Sequence, residues 1–213
     1  MTRTSSPPPR TTYRHGDLRR VLLEAGIQLA RDGGPDAVVL REATRRAGVV
    51  PNAAYRHFAN RQELLKAVRL AALSTLALAM ETELAGVQRR GRRPADVARA
   101  NLRALGIGYL RFARTESGLF RMLANGDEPA GDGDPAKAGA SGLAPLQLLG
   151  AALDKLVETG VLLAERRPGA EYLAWSAVHG LAILAIDGPL SNLPHAELDI
   201  VSQRLVGMIE KGL

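Results

Sequence analysis

The side chains best suited to chemistry in this sequence are Tyr55, Arg56 and His57, which are consecutive. Phenol, guanidinium and imidazole groups can each donate a hydrogen bond to a phosphate oxygen, and arginine can also bind the base edge of guanine. The small residues Ala53 and Ala54 precede them and would allow a helix to approach a groove closely. The trio is therefore a candidate site for binding a nucleic acid.

The surrounding segment, LREATRRAGVVPNAAYRHFANRQELL (40–65), indicates two short helices joined by a tight turn. Gly48 tolerates the positive φ of such a turn, and Pro51 suits the first position of a helix. Asn60 and Glu63 have capping-box spacing and predict the start of a longer helix. A helix-turn-helix has this form, with its second helix in the major groove, although a generic helical hairpin could give the same turn.

The charge distribution favours nucleic-acid binding independently of the motif. Residues 1–66 contain twelve Lys and Arg against six Asp and Glu, whereas residues 67–213 contain sixteen of each. The whole net charge of +6 therefore lies in the first third of the chain. This asymmetry indicates one part that binds a polyanion and a neutral part with another task.

The rest of the chain predicts an all-α protein, because Ala and Leu dominate and no strand-like alternation persists. We expect a flexible basic arm (1–12), a three-helix helix-turn-helix domain (13–66) and a helical C-terminal domain (67–213). The predicted helices are approximately 16–32, 40–47, 51–57, from 60 to the basic break at 89–94, 95–114, 118–123, 143–159, 170–187 and 195–211. Residues 124–142 lack apolar periodicity and predict a mobile loop.

Composition excludes several classes of protein. The chain has no cysteine, which excludes disulfides and thiolate metal sites, and no cluster suggests another metal or a cofactor. The N-terminus lacks the apolar region of a secretory signal, and the longest apolar run, 172–186, is too short to cross a bilayer. We therefore expect a soluble, cytoplasmic protein that does not bind membranes. The chain also lacks the nucleophile-elbow, zinc-protease, Walker and dinucleotide motifs, which argues against an enzyme.

Residues 13–68 resemble the DNA-binding domain of the TetR family of transcriptional regulators. The resemblance lies in HGDLR (15–19), AGV (47–49), AAYRHF (53–58) and NRQELL (60–65). The segment AWSAVHGLAILAIDG (174–188) is similar to the Trp-His-Gly-containing ligand-binding domain of one branch of that family. Val39 and Val50 depart from the pattern, because Ser or Thr commonly caps these two helix starts.

The resemblance implies a homodimeric regulator, usually a repressor, that binds palindromic double-stranded DNA and is released by a small-molecule effector. It makes 51–57 the recognition helix. Arg61 lies where the helix dipole disfavours a cation, which suggests an external phosphate as its partner. The residues predicted to bind DNA are Arg14, Arg41, Pro51, Asn52, Ala53, Tyr55, Arg56, His57 and Arg61.

The C-terminal part predicts an effector pocket and a dimer interface. Five of the eight aromatic residues fall there, and Trp175 and His179 share a helix face. We expect a mainly apolar pocket for a neutral or weakly polar lipophilic effector, lined by Tyr109, Phe112, Phe120, Trp175 and His179. The apolar helix near 170–187 and the spacing of Leu198, Val201, Leu205 and Met208 predict a four-helix interface, with a buried hairpin inside one protomer as the alternative. A purely architectural DNA-binding protein would not need this long neutral region.

Overall fold

The computed structural model describes residues 15–124 and 134–213, which form nine α-helices and two 3₁₀ turns without a β-strand. The predicted all-α class is confirmed. The helices are α1 (His15–Ala37), α2 (Leu40–Ala47), α3 (Pro51–Ala54), α4 (Arg61–Ala85), α5 (Pro94–Thr115), α6 (Ser117–Ala124), α7 (Pro145–Glu158), α8 (Ala170–Ile186) and α9 (His195–Gly212). The 3₁₀ turns are Pro135–Lys137 and Ala164–Arg166.

The first three helices and the start of α4 enclose the N-terminal part of a hydrophobic core that continues into the C-terminal helices. Leu22, Val38, Ala43 and Phe58 are almost fully buried there. The guanidinium carbon of Arg19 lies 5.1 Å from the ring centroid of Phe58, where the positive charge faces the π-system. Phe58 is thus a core anchor, and the polar residues that precede it are left on the surface.

Helix α4 connects this small bundle to the rest of the molecule. The Asn60 side chain accepts a hydrogen bond from the Glu63 backbone N–H at 3.0 Å, and the Glu63 carboxylate accepts one from the Ala59 N–H at 2.7 Å. These two bonds satisfy N–H groups that a helix start leaves without partners. The buried stripe then runs through Leu64, Val68, Ala72, Leu76 and Met80, as its spacing predicts.

Helix α6 lies directly against α1, at a contact that requires glycine. A Cβ atom on Gly118 would lie 2.2 Å from the Ala30 carbonyl oxygen and 2.4 Å from that of Arg31. An ion pair between Arg31 and Glu116, with an N–O distance of 2.9 Å, closes the edge of this contact. The N-terminal bundle and the C-terminal helices therefore meet backbone to backbone.

Part of the segment predicted as a mobile loop is anchored. The Glu81 carboxylate of α4 accepts hydrogen bonds from the backbone N–H groups of Ala140 and Ser141 at 2.8 and 2.9 Å, and Ser74 donates to the Ala138 carbonyl at 2.7 Å. The prediction was wrong for residues 134–142, because composition does not reveal a carboxylate on a distant helix. Residues 125–133 lie outside the described part of the chain.

Helices α8 and α9 expose a set of large apolar side chains. These are Tyr172, Leu173, Leu184, Ile200, Val201 and Met208. Leu198 lies in the core of the protomer instead, so this member of the predicted interface pattern packs internally. Within the described residues, no helix combines the length and apolarity that crossing a bilayer requires.

Candidate functional site

Helices α2 and α3 are joined by a turn whose geometry follows from Gly48. This glycine has φ 66° and ψ 30°, in the left-handed region. Its N–H donates to the Arg45 carbonyl at 3.3 Å, and the Val49 N–H donates to that of Thr44 at 3.1 Å. This bond pattern is a Schellman motif, which ends a helix and redirects the chain at once. The predicted helix-turn-helix geometry is present.

The second helix is shorter than the sequence predicts. Helix α3 ends at Ala54, and residues 55–57 continue as a turn in which the His57 N–H donates to the Ala54 carbonyl at 2.9 Å. Val39 and Val50, which precede α2 and α3, make no side-chain cap. Helix α3 is a single turn because no side chain caps its start and because Phe58, four residues after its end, is buried in the core.

The surface around α3 carries the predicted DNA-contacting residues. Pro51, Asn52, Tyr55 and Arg56 are exposed, and the exposed fraction of Tyr55 is 57%. His57 and Ala53 are half-buried, Arg41 is exposed on the first turn of α2, and Arg14 lies outside the described residues. Side chains that can bind phosphate or base edges are thus accessible on and beside α3.

The charges on this face differ in their availability. Arg45 and Arg46 form ion pairs with Glu42 and Asp32, with N–O distances of 2.6 and 2.8 Å. The hydrogen bond from Arg45 lowers the pKa of Glu42, which keeps this partner ionised. Within the described residues, no acidic side chain pairs with Arg41 or Arg56. The cations beside the recognition turn are therefore available to an external anion, whereas those at the end of α2 are neutralised.

Arg61 has an internal role that differs from the predicted one. Its Nε donates to the Val38 carbonyl at 2.8 Å, and its Nη2 donates to the Pro35 carbonyl at 2.7 Å. The guanidinium therefore joins the start of α4 to the last turn of α1 and to the residue that follows it. This corrects the argument that a cation at a helix start requires an external phosphate, because two carbonyl groups distant in sequence are its partners.

A cavity of about 760 Å³ lies between the C-terminal helices and reaches the N-terminal bundle. Its apolar wall comes mainly from α4, with further residues from α5, α7 and α8, and Tyr109, Trp175 and His179 contribute polar atoms to it. A space of this size, mostly apolar with few polar groups, is typical of small-molecule sites.

Three of the predicted pocket residues form one hydrogen-bonded unit. The Tyr109 hydroxyl lies 2.7 Å from His179 Nδ1 and accepts a hydrogen bond from Trp175 Nε1 at 3.3 Å. Burial lowers the pKa of His179 and raises that of Tyr109, so both are neutral near pH 7. The bonds are satisfied when Tyr109 donates to Nδ1 and His179 carries its proton on Nε2.

The two phenylalanines occupy other positions. The ring centroid of Phe120 lies 5.4 Å from that of His179 and 5.7 Å from that of Tyr109, so Phe120 packs against both of these rings. Phe112 is buried in the core. Neither belongs to the described cavity wall, which corrects the prediction that they line it. Their type predicts burial, but only the orientation of α5 and α6 decides which buried residue faces a cavity.

The charge of the cavity wall also differs from expectation. The wall includes five Lys and Arg residues, Arg61, Lys66, Arg69, Arg121 and Lys137, against the single acid Asp36. A neutral effector was inferred from the zero charge balance of residues 67–213. That part of the chain nevertheless places three cations and no acid on the wall, because an overall balance does not show which charged side chains line a cavity. Arg69 and the α4 leucines were not singled out from the sequence. Their signal is a second stripe beside the buried one, at positions 65, 69 and 73.

The described residues contain no group of three His, Cys, Asp or Glu side chains that could hold a metal ion. These residues provide an exposed polar surface around α3 and a largely apolar cavity between the C-terminal helices.

Comparisons with known proteins agree with this geometry. The family model described as "Bacterial regulatory proteins, tetR family" matches residues 22–68, and the model described as "Tetracyclin repressor-like, C-terminal domain" matches residues 102–209. No curated protein matches the chain.

Among solved structures, a protein of unknown function from Rhodococcus sp. RHA1 is 28% identical, with a TM-score of 0.73 over 96% of this chain and 99% of that one. A TetR family transcription regulator from Marinobacter aquaeolei VT8 is 18% identical, with a TM-score of 0.61 over 91% and 93%. A TetR variant from Acinetobacter baumannii AYE in complex with minocycline is 17% identical, with a TM-score of 0.57 over 90% and 93%.

The last two structures show that this chain shares their fold, and the two family models show to which family its sequence belongs. The matched N-terminal region contains the α2–turn–α3 unit with its exposed Tyr55 and Arg56, and the matched C-terminal region contains Tyr109, Trp175 and His179. TetR regulators act by binding DNA and not by catalysis. The chain is a DNA-binding transcriptional regulator and belongs to the TetR family.

Proposed function

We propose that this protein is a homodimeric repressor that binds a palindromic operator in the cytoplasm and leaves it when a small lipophilic molecule enters the cavity. We assign the DNA-binding domain to residues 13–66, with residues 1–12 as a basic arm, and the effector and dimerisation domain to residues 67–213. The observation that carries the proposal is the close contact of α6 with α1, because it joins the cavity to the DNA-binding unit.

On the DNA side, the proposal rests on the exposed face of α3. Tyr55 and Arg56 are accessible, and we assign them phosphate and base-edge contacts, with Asn52 and Pro51 at the groove. Arg41, Ala53 and His57 border this face, and we add Arg14 from the arm. Arg61 supports the unit through the Pro35 and Val38 carbonyls.

The dimer follows from the exposed apolar side chains of α8 and α9. The exposed fractions of Leu173, Ile200 and Met208 are 67%, 59% and 61%. A cluster of this kind on two neighbouring helices is typical of a protein–protein interface. Two copies related by a two-fold axis would form a four-helix contact and present two α3 helices, which requires a palindromic site with half-sites about 34 Å apart.

Effector release requires that occupancy of the cavity reach the DNA-binding unit. Phe120 on α6 packs against Tyr109 and His179, and Gly118 on the same helix packs against the Ala30 carbonyl of α1. A ligand that displaces Tyr109 or His179 would move α6, and α6 cannot move without moving the end of α1. The minocycline complex of the TetR variant with this fold is consistent with a small-molecule site here.

The test combines operator selection with effector release. Genomic fragments are selected on the full-length protein at physiological salt, and a palindromic fragment should bind far more tightly than bulk DNA, with an affinity that falls steeply as salt rises. Hydrophobic compounds that change Trp175 fluorescence should then release the fragment. Absence of any preferred fragment would refute the regulator, and release by no compound that enters the cavity would refute the effector step.

A further inference from the structure

The cavity wall is polarised along α4. Of the α4 residues that line the cavity, those in the first turns are charged or polar apart from Leu65 (Arg61, Gln62, Lys66 and Arg69), and those beyond are all apolar (Leu70, Leu73, Leu76 and Met80). At 1.5 Å per residue, the step from Lys66 to Met80 spans about 21 Å. One end of the cavity is thus basic, and the other is hydrocarbon-lined.

The arginines at the basic end differ in their partners. Arg61 donates to two backbone carbonyls, and Arg121 forms a bidentate pair with Asp187, with one N–O distance of 2.6 Å. Arg69 is half-buried in the wall and makes no ion pair with any residue of the described chain. A half-buried guanidinium has lost part of its hydration without gaining a counterion in return.

An anion from outside the chain would supply that counterion. Guanidinium groups bind carboxylate and phosphate oxygens in a bidentate manner, and such bonds are stronger than those between neutral groups. The apolar end has no charged side chain from α5 or α8 on its wall, and its polar atoms are those of Tyr109, Trp175 and His179, which bond one another. It is suited to a hydrocarbon chain or ring.

We propose that the effector is an amphiphilic anion: a hydrocarbon body in the apolar end of the cavity, with a carboxylate or phosphate headgroup bound by Arg69. This inference rests on the proposed effector function and names its ligand class. Arg69 is the residue that determines specificity for charge. The net excess of cations on the wall disfavours a cationic ligand.

The test uses the full-length protein without DNA and follows the fluorescence of Trp175, which lines the cavity. Four ligands of one chain length are titrated below their micellar concentrations: dodecanoate, dodecyl phosphate, dodecanol and dodecyltrimethylammonium. One or both anions should bind about tenfold to a hundredfold more tightly than the alcohol, as for a hydrogen bond to a charged group. Their relative affinities distinguish a carboxylate from a phosphate headgroup. The cation should bind most weakly.

Variants then locate the headgroup. Arg69→Gln should remove most of the advantage of the anion, and Arg69→Lys should retain much of it. Arg90→Gln is the matched control, because Arg90 is exposed, lies outside the described wall and carries the same charge. Equal binding of alcohol and anions, tighter binding of the cation, or an unchanged anion affinity in Arg69→Gln would overturn the assignment.

A second readout separates this inference from the proposed function. Each ligand is added to the complex with the selected operator fragment. Release by dodecanol alone would refute the anionic effector and leave the effector mechanism intact. Anion binding that depends on Arg69 but releases no DNA would support the anion site and refute the effector mechanism.

Discussion

Replacement of Gly118 by alanine tests the coupling between the cavity and the DNA-binding unit. The new Cβ would lie 2.2 Å from the Ala30 carbonyl oxygen, whereas a carbon–oxygen contact requires about 3.3 Å. Helix α6 must therefore move away from α1 by about 1 Å at this point. The obstacle is backbone, so no side chain can rotate to make room.

The expected change in the stability of Gly118→Ala is the sum of two opposing effects. Overpacking costs about 1–3 kcal/mol, and contact with backbone on both sides places Gly118→Ala near the upper limit. Alanine recovers about 1 kcal/mol through its higher helix propensity. The net loss of about 2 kcal/mol should lower the Tm by about 4–8 °C for a chain of this length. The matched control is Gly150→Ala in α7, where the nearest atom to a new Cβ is 3.7 Å away, so only the favourable effect remains.

Thermal unfolding and fluorescence anisotropy with the selected operator provide the two measurements. Gly118→Ala should also weaken operator binding, because the displaced α6 no longer supports the end of α1. The expected loss of affinity is about fivefold or more, which is the lower end of the range of allosteric couplings. Gly150→Ala should bind as the wild type does and melt at a higher temperature. A Gly118→Ala protein with wild-type Tm and operator affinity would refute both the tight contact and its role in coupling.

Four further outcomes are expected. Arg56→Ala should weaken operator binding and flatten its salt dependence by about one counterion in anisotropy titrations, and an unchanged slope would remove Arg56 from the contact surface. Leu173→Arg should convert a dimer to a 22.7 kDa monomer in sedimentation, whereas Leu163→Arg, at a similar exposed fraction of 59% outside α8 and α9, should not. Burial lowers the pKa of His179, so as the pH falls the unfolded chain binds a proton at this residue before the folded protein does. The contribution of neutral His179 to stability is therefore fully present above about pH 6.5 and is lost as the pH falls below that value. The Tm of His179→Gln should therefore decrease less than that of the wild type between about pH 7.5 and about pH 5.5, and an equal decrease would contradict the assignment. Val39→Ser should add the missing cap of α2 and raise stability by about 1 kcal/mol, measured by denaturant unfolding.

Local signals in the sequence predicted the helix-turn-helix closely. The bounds of α2, the turn at Gly48 and the cap at Asn60 depend on residues within one or two turns of each other, so their types are sufficient to predict them. The helix around Trp175 and His179 was likewise predicted from its own composition. The adjacency of Tyr109 to both residues was inferred only as a cluster, and its hydrogen bonds required the structure.

The features that sequence reasoning missed all depend on contacts between distant segments. Arg61 bonds carbonyls 23 and 26 residues away, and Glu81 anchors a segment about 60 residues further along the chain. The exclusion of Phe112 from the cavity wall depends on how α5 is rotated against its neighbours. Residue type predicts that such side chains are buried or paired, but only the packing of the helices determines which residues they contact.

The shared role of α4 has a consequence for the construction of hybrid regulators. A swap at residue 66 would appear to separate operator choice from ligand choice, but it would cut the cavity wall within α4. Arg61, Gln62, Leu65 and Lys66 would be exchanged with the DNA-binding half, while Arg69 and the later leucines of α4 would remain. A hybrid that borrows a foreign operator specificity would therefore also acquire a foreign charged end of the cavity. Its ligand preference should change unless the junction is moved ahead of Arg61, so that this end of α4 stays with the rest of the cavity.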